Sequence, residues 1–380
     1  MRDPAPSRIW FWLLFACHLV IASTFITKYG VRYGFDPFWT SGLYCSLAVA
    51  IMLIYRGRGL PRVCGDGRLV FVAVTVLTFL LAVFMYQFDM AGIRNGRHYA
   101  LDLAIGRLVG GEFPYQAPAF STHSAFPGWI LLATPFYLMG DSGVMMLLAL
   151  PIFAWTLWKI EPTLCIPGVL LLVSAPQFLY DVAVRSDISL NMITLLAVIV
   201  ISDRLMARDE NRLTIPAGLI TGFLLSSRGV AFVVFSAYIG FASLRHRKQV
   251  LGYAVTALTT FVATLAPFAI WDWRNFVDWG PIGHQIQLSH LPIAVLGLAM
   301  AAPFWIGRKT RSVGLLFACT AGILLVIVAA AAIRVVAGSG LELAIMENGL
   351  DVTYLTIPLP FLILAILLMK SATTGRVTHT

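Results

Sequence analysis

Charged residues are scarce in this chain of 380 residues. Asp, Glu, Lys and Arg together make up only 12% of it, whereas 59% is hydrophobic. Soluble domains carry about 25% charged residues, so the scarcity excludes a large soluble domain. The mean hydropathy of +0.84 is typical of a chain that lies mostly within a membrane. The sequence therefore predicts an all-α, polytopic membrane protein that forms a single domain over residues 1–380.

Cysteine motifs and nucleotide-binding loops are absent from the sequence. The five cysteines have no motif spacing and four of them lie within apolar runs, so neither a disulfide framework nor a cysteine-based zinc site is predicted. No glycine-rich phosphate loop is visible. The net charge of +9 does not indicate nucleic acid, because the basic residues form short clusters between apolar runs rather than a continuous stripe.

Twelve apolar runs make up most of the chain, and we interpret each as a membrane span. Several are shorter than the roughly 20 residues that a transmembrane helix needs. We interpret the first run as an uncleaved helix rather than a signal peptide, because of its length and the spans that follow it. The runs cover residues 9–27, 38–55, 69–87, 142–158, 163–178, 187–202, 213–226, 229–244, 249–270, 293–307, 313–333 and 355–369.

Basic clusters between the runs predict the orientation. Under the positive-inside rule, the clusters at 245–248 and 308–311 face the cytoplasm, which places both termini on the cytoplasmic side of a bacterial inner membrane. This orientation requires that segment 125–139 does not cross, so we interpret it as re-entrant or interfacial. Residues 88–141 then form a long periplasmic loop, and loops of this length are usually functional.

The loop at 88–141 begins with an acidic residue and an amphipathic pattern. Asp89 directly follows an apolar run, where a carboxylate is well placed to accept a proton from a hydroxyl but could equally be a solvated residue that ends a span. From Arg97 to Val109, apolar residues such as Tyr99 alternate with charged residues such as Asp102. This pattern predicts a helix on the membrane surface, with its apolar stripe inward and its charges toward water. Two glycines end it.

Two arginines lie among apolar residues on the same predicted side. Arg185 precedes Asp187 in an Arg-x-Asp at the start of a span, where Asp187 could cap the helix. Arg185 is expected to have a partner, either a carboxylate such as Asp181 or Asp187 or an anionic head group. Arg228 divides an apolar run into two short spans. Because an unpaired guanidinium is costly within a membrane, we expect Arg228 to bind a partner such as a lipid-linked phosphate, or to cap a simple hairpin turn.

Residues 271–292 are rich in aromatic, amide and histidine side chains. Trp279 and two further tryptophans are typical of an interfacial anchor. Together with His284 and His290 they would also suit a sugar-binding surface, because aromatic rings stack on the apolar faces of sugars. The two histidines are six residues apart in a stretch that we predict to be irregular, and this is not a zinc spacing.

Several short motifs follow one another in a characteristic order. They are the early acidic residue Asp89, G-x-x-P-Y at Gly111 to Tyr115, Gly140-Asp141, Ser174 with Pro176, Arg185 with Asp187, Gly218 with Gly222 and Arg228, and YLTIPLP at Tyr354 to Pro360. Their order and sidedness resemble the GT-C superfamily of membrane glycosyltransferases, which use polyprenyl-phosphate sugars. The resemblance extends from about Asp89 to Arg247, and more loosely to the last span.

The resemblance implies inverting transfer of a hexose or pentose from a polyprenyl-phosphate donor to a glycan, lipid or protein acceptor. Asp89 would be the catalytic carboxylate, although the distance to Tyr99 in the sequence leaves Asp102 open as the counterpart. Arg185 and Arg228 would hold the phosphate. The other residues expected to contact substrate are Tyr99, Asp102, Tyr115, Asp187, Trp279, His284 and His290. No metal ligands are predicted, and a requirement for a divalent cation stays open.

Two other classes of protein compete with this interpretation. A transporter or lipid flippase predicts charges near the bilayer centre and broken helices in paired halves, whereas the ionisable residues of this chain gather at one predicted rim. A non-catalytic membrane assembly factor would tolerate loss of Asp89.

Overall fold

The structure, a computed structural model, describes residues 8–32, 34, 36–58, 66–90, 96–115, 125–207, 211–289, 291–340 and 351–373. Within these ranges every regular element is a helix, which confirms the all-α prediction. The α-helices are α1 Arg8–Arg32, α2 Pro37–Arg58, α3 Gly67–Met90, α4 Gly96–Val109, α5 Pro127–Leu138, α6 Ala149–Ile160, α7 Cys165–Val173, α8 Pro176–Ala183, α9 Ile188–Ala207, α10 Asn211–Leu225, α11 Ala231–Arg245, α12 Arg247–Trp271, α13 Trp273–Asp278, α14 Pro281–Ser289, α15 Ile293–Lys309, α16 Val313–Ser339 and α17 Leu359–Thr373. Three 3-10 helices cover Ser142–Leu148, Pro162–Leu164 and Val352–Thr356.

Seven described segments are long and apolar enough to cross a membrane, which makes this a multi-pass membrane protein by helix length and composition. α7 and α8 are bent by 67° and form an eighth candidate if they are counted as one span. Three shorter apolar helices are Pro37–Leu53, Arg212–Leu225 and Ala231–Arg245, so the count of twelve spans stays a prediction. The seven are Ile9–Val31, Gly67–Asp89, Ser142–Ile160, Ile188–Ala207, Val250–Trp271, Val313–Ser339 and Val352–Met369.

The segment interpreted as re-entrant or interfacial forms the short helix α5. Its 12 residues rise about 18 Å, which is less than the hydrocarbon core of about 30 Å. Pro127 occupies the first turn and Pro135 lies inside the helix. Trp129 and Ile130 are fully buried, so α5 packs within the protein. Its length supports the interpretation that 125–139 does not cross the membrane.

The chain divides into two compact units: residues 1–79, 153–180 and 311–380 form the first, and residues 80–152 and 181–310 form the second. In the first unit, α17 packs against α1, α7 and α16. Its residues from Phe361 to Leu367 are fully buried, so this helix is the core of the unit. The prediction of one domain over the whole chain stays a prediction.

Glycines bring two pairs of helices close together in the second unit. A Cβ on Gly222 of α10 would strike the carbonyl oxygen of Ala257 on α12, and one on Gly240 of α11 would strike the carbonyl oxygen of Phe304 on α15. Such small residues let the backbones of membrane helices approach. The two close packings hold the turn between α10 and α11, and this turn carries Arg228.

The helix predicted at 97–109 is confirmed, and so is its termination by glycine. Gly111 has φ +77°, its amide donates to the Leu108 carbonyl, and the Glu112 amide donates to the Arg107 carbonyl. These two bonds are a Schellman motif, in which glycine adopts the left-handed conformation at little cost.

α4 packs against protein on the side that carries His98, Leu101 and Ile105. Tyr99, predicted to lie in the inward apolar stripe, is 64% exposed, whereas His98 and Leu101 are buried. Asp102, predicted to face water, accepts a hydrogen bond from Ser142. The cause is packing: α4 contacts both α5 and the 3-10 helix that begins at Ser142, so its polar side is covered by protein.

The prediction that residues 271–292 are irregular is wrong for the described residues, most of which form α13 and α14. Asp272 caps α13, with its carboxylate accepting from the Asn275 amide at 3.0 Å. Phe276 is buried and anchors the segment. His290, Cys64, Glu342 and Glu347 lie outside the described residues.

Candidate functional site: a cluster around Arg185

Five ionisable side chains from separate parts of the second unit meet at one place, which we call the Arg185 cluster. The last turn of α3 supplies Asp89, one face of α4 supplies His98 and Asp102, the residue before the 3-10 helix supplies Asp141, and the turn between α8 and α9 supplies Arg185. Asp89, Asp102 and Arg185 were predicted as site residues from the sequence. The structure brings these three together.

Arg185 is the centre of the cluster. Its guanidinium lies 3.1 Å from Asp89 Oδ2 through Nη2, and Nη1 donates to Asp141 Oδ2. The side chain is 7% exposed. Arg185 therefore has carboxylate partners as expected, but they are Asp89 and Asp141 rather than Asp181 or Asp187.

The backbone of Arg185 adopts a conformation that usually belongs to glycine. Its φ of 57° makes it the one non-glycine residue with positive φ among the described residues. The Ser186 amide donates to the Asp181 carbonyl and the Arg185 amide to the Val182 carbonyl, which is the same Schellman arrangement that ends α4. A non-glycine residue there costs roughly 1–2 kcal/mol, and such strain concentrates at functional sites.

Gly143 makes room for the arginine. A Cβ on Gly143 would lie 2.6–2.9 Å from the Cβ, Cγ and Cδ atoms of Arg185, so the arginine stem packs directly on the glycine backbone. The Gly143 amide also donates to Asp141 Oδ1 at 2.7 Å. Both contacts fix the relative positions of Arg185 and Asp141.

His98 links the two carboxylates on the other side of the cluster. Its Nε2 lies 2.7 Å from Asp141 Oδ1 and 3.4 Å from Asp102 Oδ2. Burial alone would raise the pKa of Asp141, but the hydrogen bond and charge of His98, the Gly143 amide and the charge of Arg185 outweigh burial and lower that pKa below its usual value. Asp141 therefore stays ionised.

Asp102 completes the cluster at its more accessible edge. Ser142 Oγ donates to Asp102 Oδ1 at 2.5 Å, and the Asp102 side chain is 26% exposed, against 1% for His98. His98, Asp102 and Asp141 each offer one ligand atom, and these three atoms lie within 4.8 Å of one another. Of the described side chains, these are the ones grouped so that they could hold a metal ion.

A second, more deeply buried ion pair lies at the start of α9. Arg228 Nη2 lies 2.5 Å from Asp187 Oδ1, and each side chain is only 4% exposed. The next residue, Gly229, donates its amide to Gln285 Oε1 at 2.7 Å, which joins the α10–α11 turn to α14. The partner that the sequence required for Arg228 is thus a carboxylate of the chain itself.

The first turn of α9 has a carboxylate from α8. Asp181 Oδ2 accepts from both the amide and the hydroxyl of Ser189, at 3.1 and 2.7 Å. This contact satisfies one of the free amides at the helix start. Asp181 thus supports α9 from outside the helix, while Asp187 pairs with Arg228.

Tyr115 lies in the core of its own segment. It is 3% exposed, its hydroxyl donates to the Ala125 carbonyl at 3.0 Å, and its ring makes edge contacts with Phe113 and Phe276. Burial raises its pKa well above the usual value, so the hydroxyl keeps its proton. These contacts join the loop before α5 to α13 rather than placing Tyr115 in the Arg185 cluster.

The predicted aromatic surface is only partly described. Trp279 is 47% exposed, and His290 lies outside the described residues. His284, on α14, is half-buried; burial lowers its pKa, and the charges of Arg97 and Arg228 lower it further. His284 is therefore a neutral imidazole near Arg228 at neutral pH.

Sequence reasoning did not identify His98 as a site residue, and it noted Asp141 only as part of a motif. The signal for His98 was its position four residues before Asp102, which places the two side chains on the same side of a helix. The signal for Asp141 was its place before Ser142 and Gly143 at a helix start, where an aspartate commonly accepts backbone hydrogen bonds.

Comparisons of the chain with protein-family models, with curated proteins and with solved structures gave no match.

Proposed function

We propose that the chain is an integral membrane glycosyltransferase, which moves a hexose or pentose from a polyprenyl-phosphate donor to an acceptor hydroxyl with inversion. The contact between Asp89 and Arg185 carries the proposal. A carboxylate that can accept a proton lies 3.1 Å from a guanidinium that can bind phosphate. Both lie at the end of the candidate span Gly67–Asp89, where a lipid-linked donor would present its head group.

The proposed reaction is a single displacement. The acceptor hydroxyl gives its proton to Asp89, its oxygen forms a bond to the anomeric carbon, and the bond from that carbon to the phosphate oxygen breaks. The electron pair of the broken bond stays on the phosphate, which leaves as polyprenyl phosphate. General base catalysis of this kind contributes about 10²–10⁴-fold.

Arg185 would stabilise the leaving phosphate. Negative charge grows on the phosphate as the sugar departs, and a fixed guanidinium that faces this charge lowers the barrier. Arginine suits the task because its donors match phosphate oxygens in pairs. The phosphate would share Arg185 with Asp141, and release of Asp89 from the guanidinium would free that carboxylate to accept the proton.

Arg228 has a more restricted place in the proposal. It lies 2.5 Å from Asp187 in a buried position, so it would reach a phosphate only if that pair opened. We therefore assign the phosphate to Arg185 and keep the contact with Arg228 as a prediction. Exposed Tyr99 and Trp279 remain candidates for the sugar or acceptor, and Asp102 remains the alternative base.

The test is transfer by the purified full chain in nanodiscs. Radiolabelled polyprenyl-phosphate sugars are supplied with acceptor-containing membranes, and wild type is compared with Asp89→Asn. The matched control is Asp203→Asn, which removes a carboxylate from the other end of α9. We expect transfer by wild type and control, and a loss of at least about 100-fold in Asp89→Asn with donor binding retained. Full transfer by Asp89→Asn would move the base to Asp102.

A transporter or flippase remains the second candidate, and one observation favours it. α7 and α8 form an apolar pair bent by 67°, and interrupted helices often line the binding sites of transporters. The same protein reconstituted in liposomes separates the two functions. Movement of a labelled lipid across the bilayer, with no transfer from any donor, would support the flippase and reject the glycosyltransferase.

A further inference from the structure

We infer that His98, Asp102 and Asp141 form a binding site for one divalent cation, of the kind that accepts both imidazole and carboxylate ligands, such as Mn²⁺ or Zn²⁺. The inference does not depend on the proposed sugar transfer, because it concerns binding and is tested by binding. The site shares Asp141 with the Arg185 cluster but is built from the side facing α4.

The spacing of the three ligand atoms fits a metal. Bonds of about 2.0–2.2 Å to nitrogen and oxygen separate tetrahedral ligand atoms by about 3.3–3.5 Å. His98 Nε2 lies 3.4 Å from Asp102 Oδ2 and 2.7 Å from Asp141 Oδ1, and one ligand atom from each of the three residues lies within 4.8 Å of the others.

His98 Nε2 faces two carboxylates, so this part of the cluster has more acceptor oxygens than imidazole protons. A nitrogen and a carboxylate oxygen approach to 2.7 Å only when a proton or a cation lies between them, because both otherwise present lone pairs. One imidazole proton can serve Asp141 or Asp102 but not both. Asp141 also has Arg185, whereas the described contacts of Asp102 are with His98 and Ser142. Asp102 therefore lacks a permanent cationic partner among the described residues.

The surroundings support the ligands and leave an entry path. Ser142 Oγ holds Asp102 through Oδ1, the oxygen that does not face His98, and Arg185 holds Asp141 through Oδ2. Outer contacts of this kind orient metal ligands. His98 is 1% exposed, whereas Asp102 and Asp141 are 26% and 20% exposed. A cation would enter from the carboxylate side and meet the imidazole at the back.

One nitrogen with two carboxylate oxygens restricts the choice of ion. Imidazole suits Zn²⁺ and related transition metals, and carboxylate suits Mn²⁺, Mg²⁺ and Ca²⁺. The mixed set therefore favours Mn²⁺ or Zn²⁺ over Ca²⁺, which takes 6–8 oxygen ligands. Three protein ligands leave at least one coordination position open, as in catalytic metal sites.

The test is Mn²⁺ binding by the full chain in detergent after removal of metals with a chelator. Free Mn²⁺ is followed by electron paramagnetic resonance, and Zn²⁺ is then added as a competitor. We expect wild type and the control Asp203→Asn to bind one Mn²⁺ per chain that Zn²⁺ displaces. Asp102→Asn should weaken binding by at least about 100-fold, and Ser142→Ala by about 10-fold. Asp203 is a matched control because it also pairs with a histidine, His246, at 3.2 Å. That pair has no third ligand among the described residues, so its loss should not change Mn²⁺ binding.

Two results would overturn the site. One is a wild type that retains neither Mn²⁺ nor Zn²⁺, and the other is Asp102→Asn binding as tightly as Asp203→Asn. A measurement on wild type alone covers the case in which Asp102→Asn does not fold. Pulsed resonance of bound Mn²⁺ should show coupling to one imidazole nitrogen, and bound Mn²⁺ without that coupling rejects His98 as a ligand. None of these results bears on sugar transfer, so the two proposals fail independently.

Discussion

The two ends of α9 each carry an ion pair, and the two pairs differ in their surroundings. At the start of the helix, Asp187 pairs with Arg228 and both side chains are 4% exposed. Toward its end, Asp203 pairs with His246 at 3.2 Å, with exposures of 26% and 12%. The first pair is a permanent charge pair closed off from solvent, whereas the second depends on protonation of a histidine. An ion pair between an aspartate and a basic residue therefore belongs to a closed-off site at the start of α9 and to a more solvated rim toward its end.

The rim at the end of α9 behaves as ordinary membrane-protein surface. Arg245, next to His246, lies 4.0 Å from the ring centroid of Phe241. Such cations cover aromatic rings while keeping their charge toward solvent. At the start of α9, Arg228 and Asp187 instead face one another in a pair that is closed off from solvent. That difference is why we place the function at the Asp187 end.

The largest expected effect compares the two pairs directly. Asp187→Asn leaves the Arg228 guanidinium buried without its carboxylate, and removal of one partner of a buried pair costs about 3–5 kcal/mol. Asp203→Asn should cost less, because the Asp203–His246 pair is half-buried rather than closed off from solvent and its partner is a histidine. The free energy of unfolding of both variants is measured by titrating detergent micelles with dodecyl sulfate and following helicity. Equal losses in the two variants would contradict the distinction between the two ends.

The next largest expected change in the free energy of unfolding comes from alanine substitutions at two glycines. Gly143→Ala places a methyl group against the stem of Arg185, and overpacking of this kind costs about 1–3 kcal/mol. Gly252, on α12, has nothing within 4 Å of its Cβ position, so Gly252→Ala should stabilise its helix by up to about 1 kcal/mol. The same unfolding titration measures both.

The activity of Gly143→Ala sharpens this test. Because the methyl group displaces the guanidinium, donor binding should weaken along with stability. A variant that loses stability but binds the donor as wild type does would show that Gly143 supports the fold and does not position Arg185.

Local patterns in the sequence were sufficient for the helices and for some of their ends. Apolar runs predicted the long helices, since membrane spans have a minimum length. The glycine pair after Val109 predicted the end of α4, because the left-handed residue of a Schellman motif favours glycine. The Schellman motif at Arg185 was not predictable, because its left-handed residue is an arginine and nothing in the local sequence marks it.

Pairings between distant residues were not predictable. Arg185 and Asp141 are 44 residues apart, and Arg228 and Asp187 are 41 apart. The sequence showed that each arginine needs a partner, but packing of the helices decides which carboxylate it meets. The contact of Asp102 with Ser142 was not predictable for the same reason: an amphipathic pattern does not distinguish water from a polar surface of the protein.

A smaller effect is the pH dependence of stability that His284 should cause near the Asp187 end of α9. Burial and the charges of Arg97 and Arg228 lower the pKa of His284. The unfolded chain therefore takes up this proton at a higher pH than the folded chain does. The contribution of the neutral imidazole is fully present above its ordinary pKa of 6.5 and is lost as pH falls below that value. His284→Gln should reduce the loss of stability between pH 7 and pH 5.

The measurement is the melting temperature in detergent at several pH values, for wild type and His284→Gln. Asp203→Asn again serves as the variant at the opposite end of α9. If His284→Gln follows the wild-type pH profile, burial and the two arginine neighbours do not hold the imidazole neutral.

The smallest effect is expected at Arg274 and Asp278 of α13. They are one helical turn apart, with Nε and Oδ2 separated by 3.9 Å, and their side chains are 91% and 56% exposed. The order, with the basic residue first, is the less favourable one for a pair in a helix, and solvent screens the charges. Arg274→Ala should therefore leave the unfolding midpoint unchanged within error, below the effect of Asp203→Asn and far below that of Asp187→Asn. The three pairs thus form a series ordered by exposure. If Arg274→Ala cost as much as Asp203→Asn, exposure would not decide what these pairs contribute, and the contrast between the two ends of α9 would lose its physical basis.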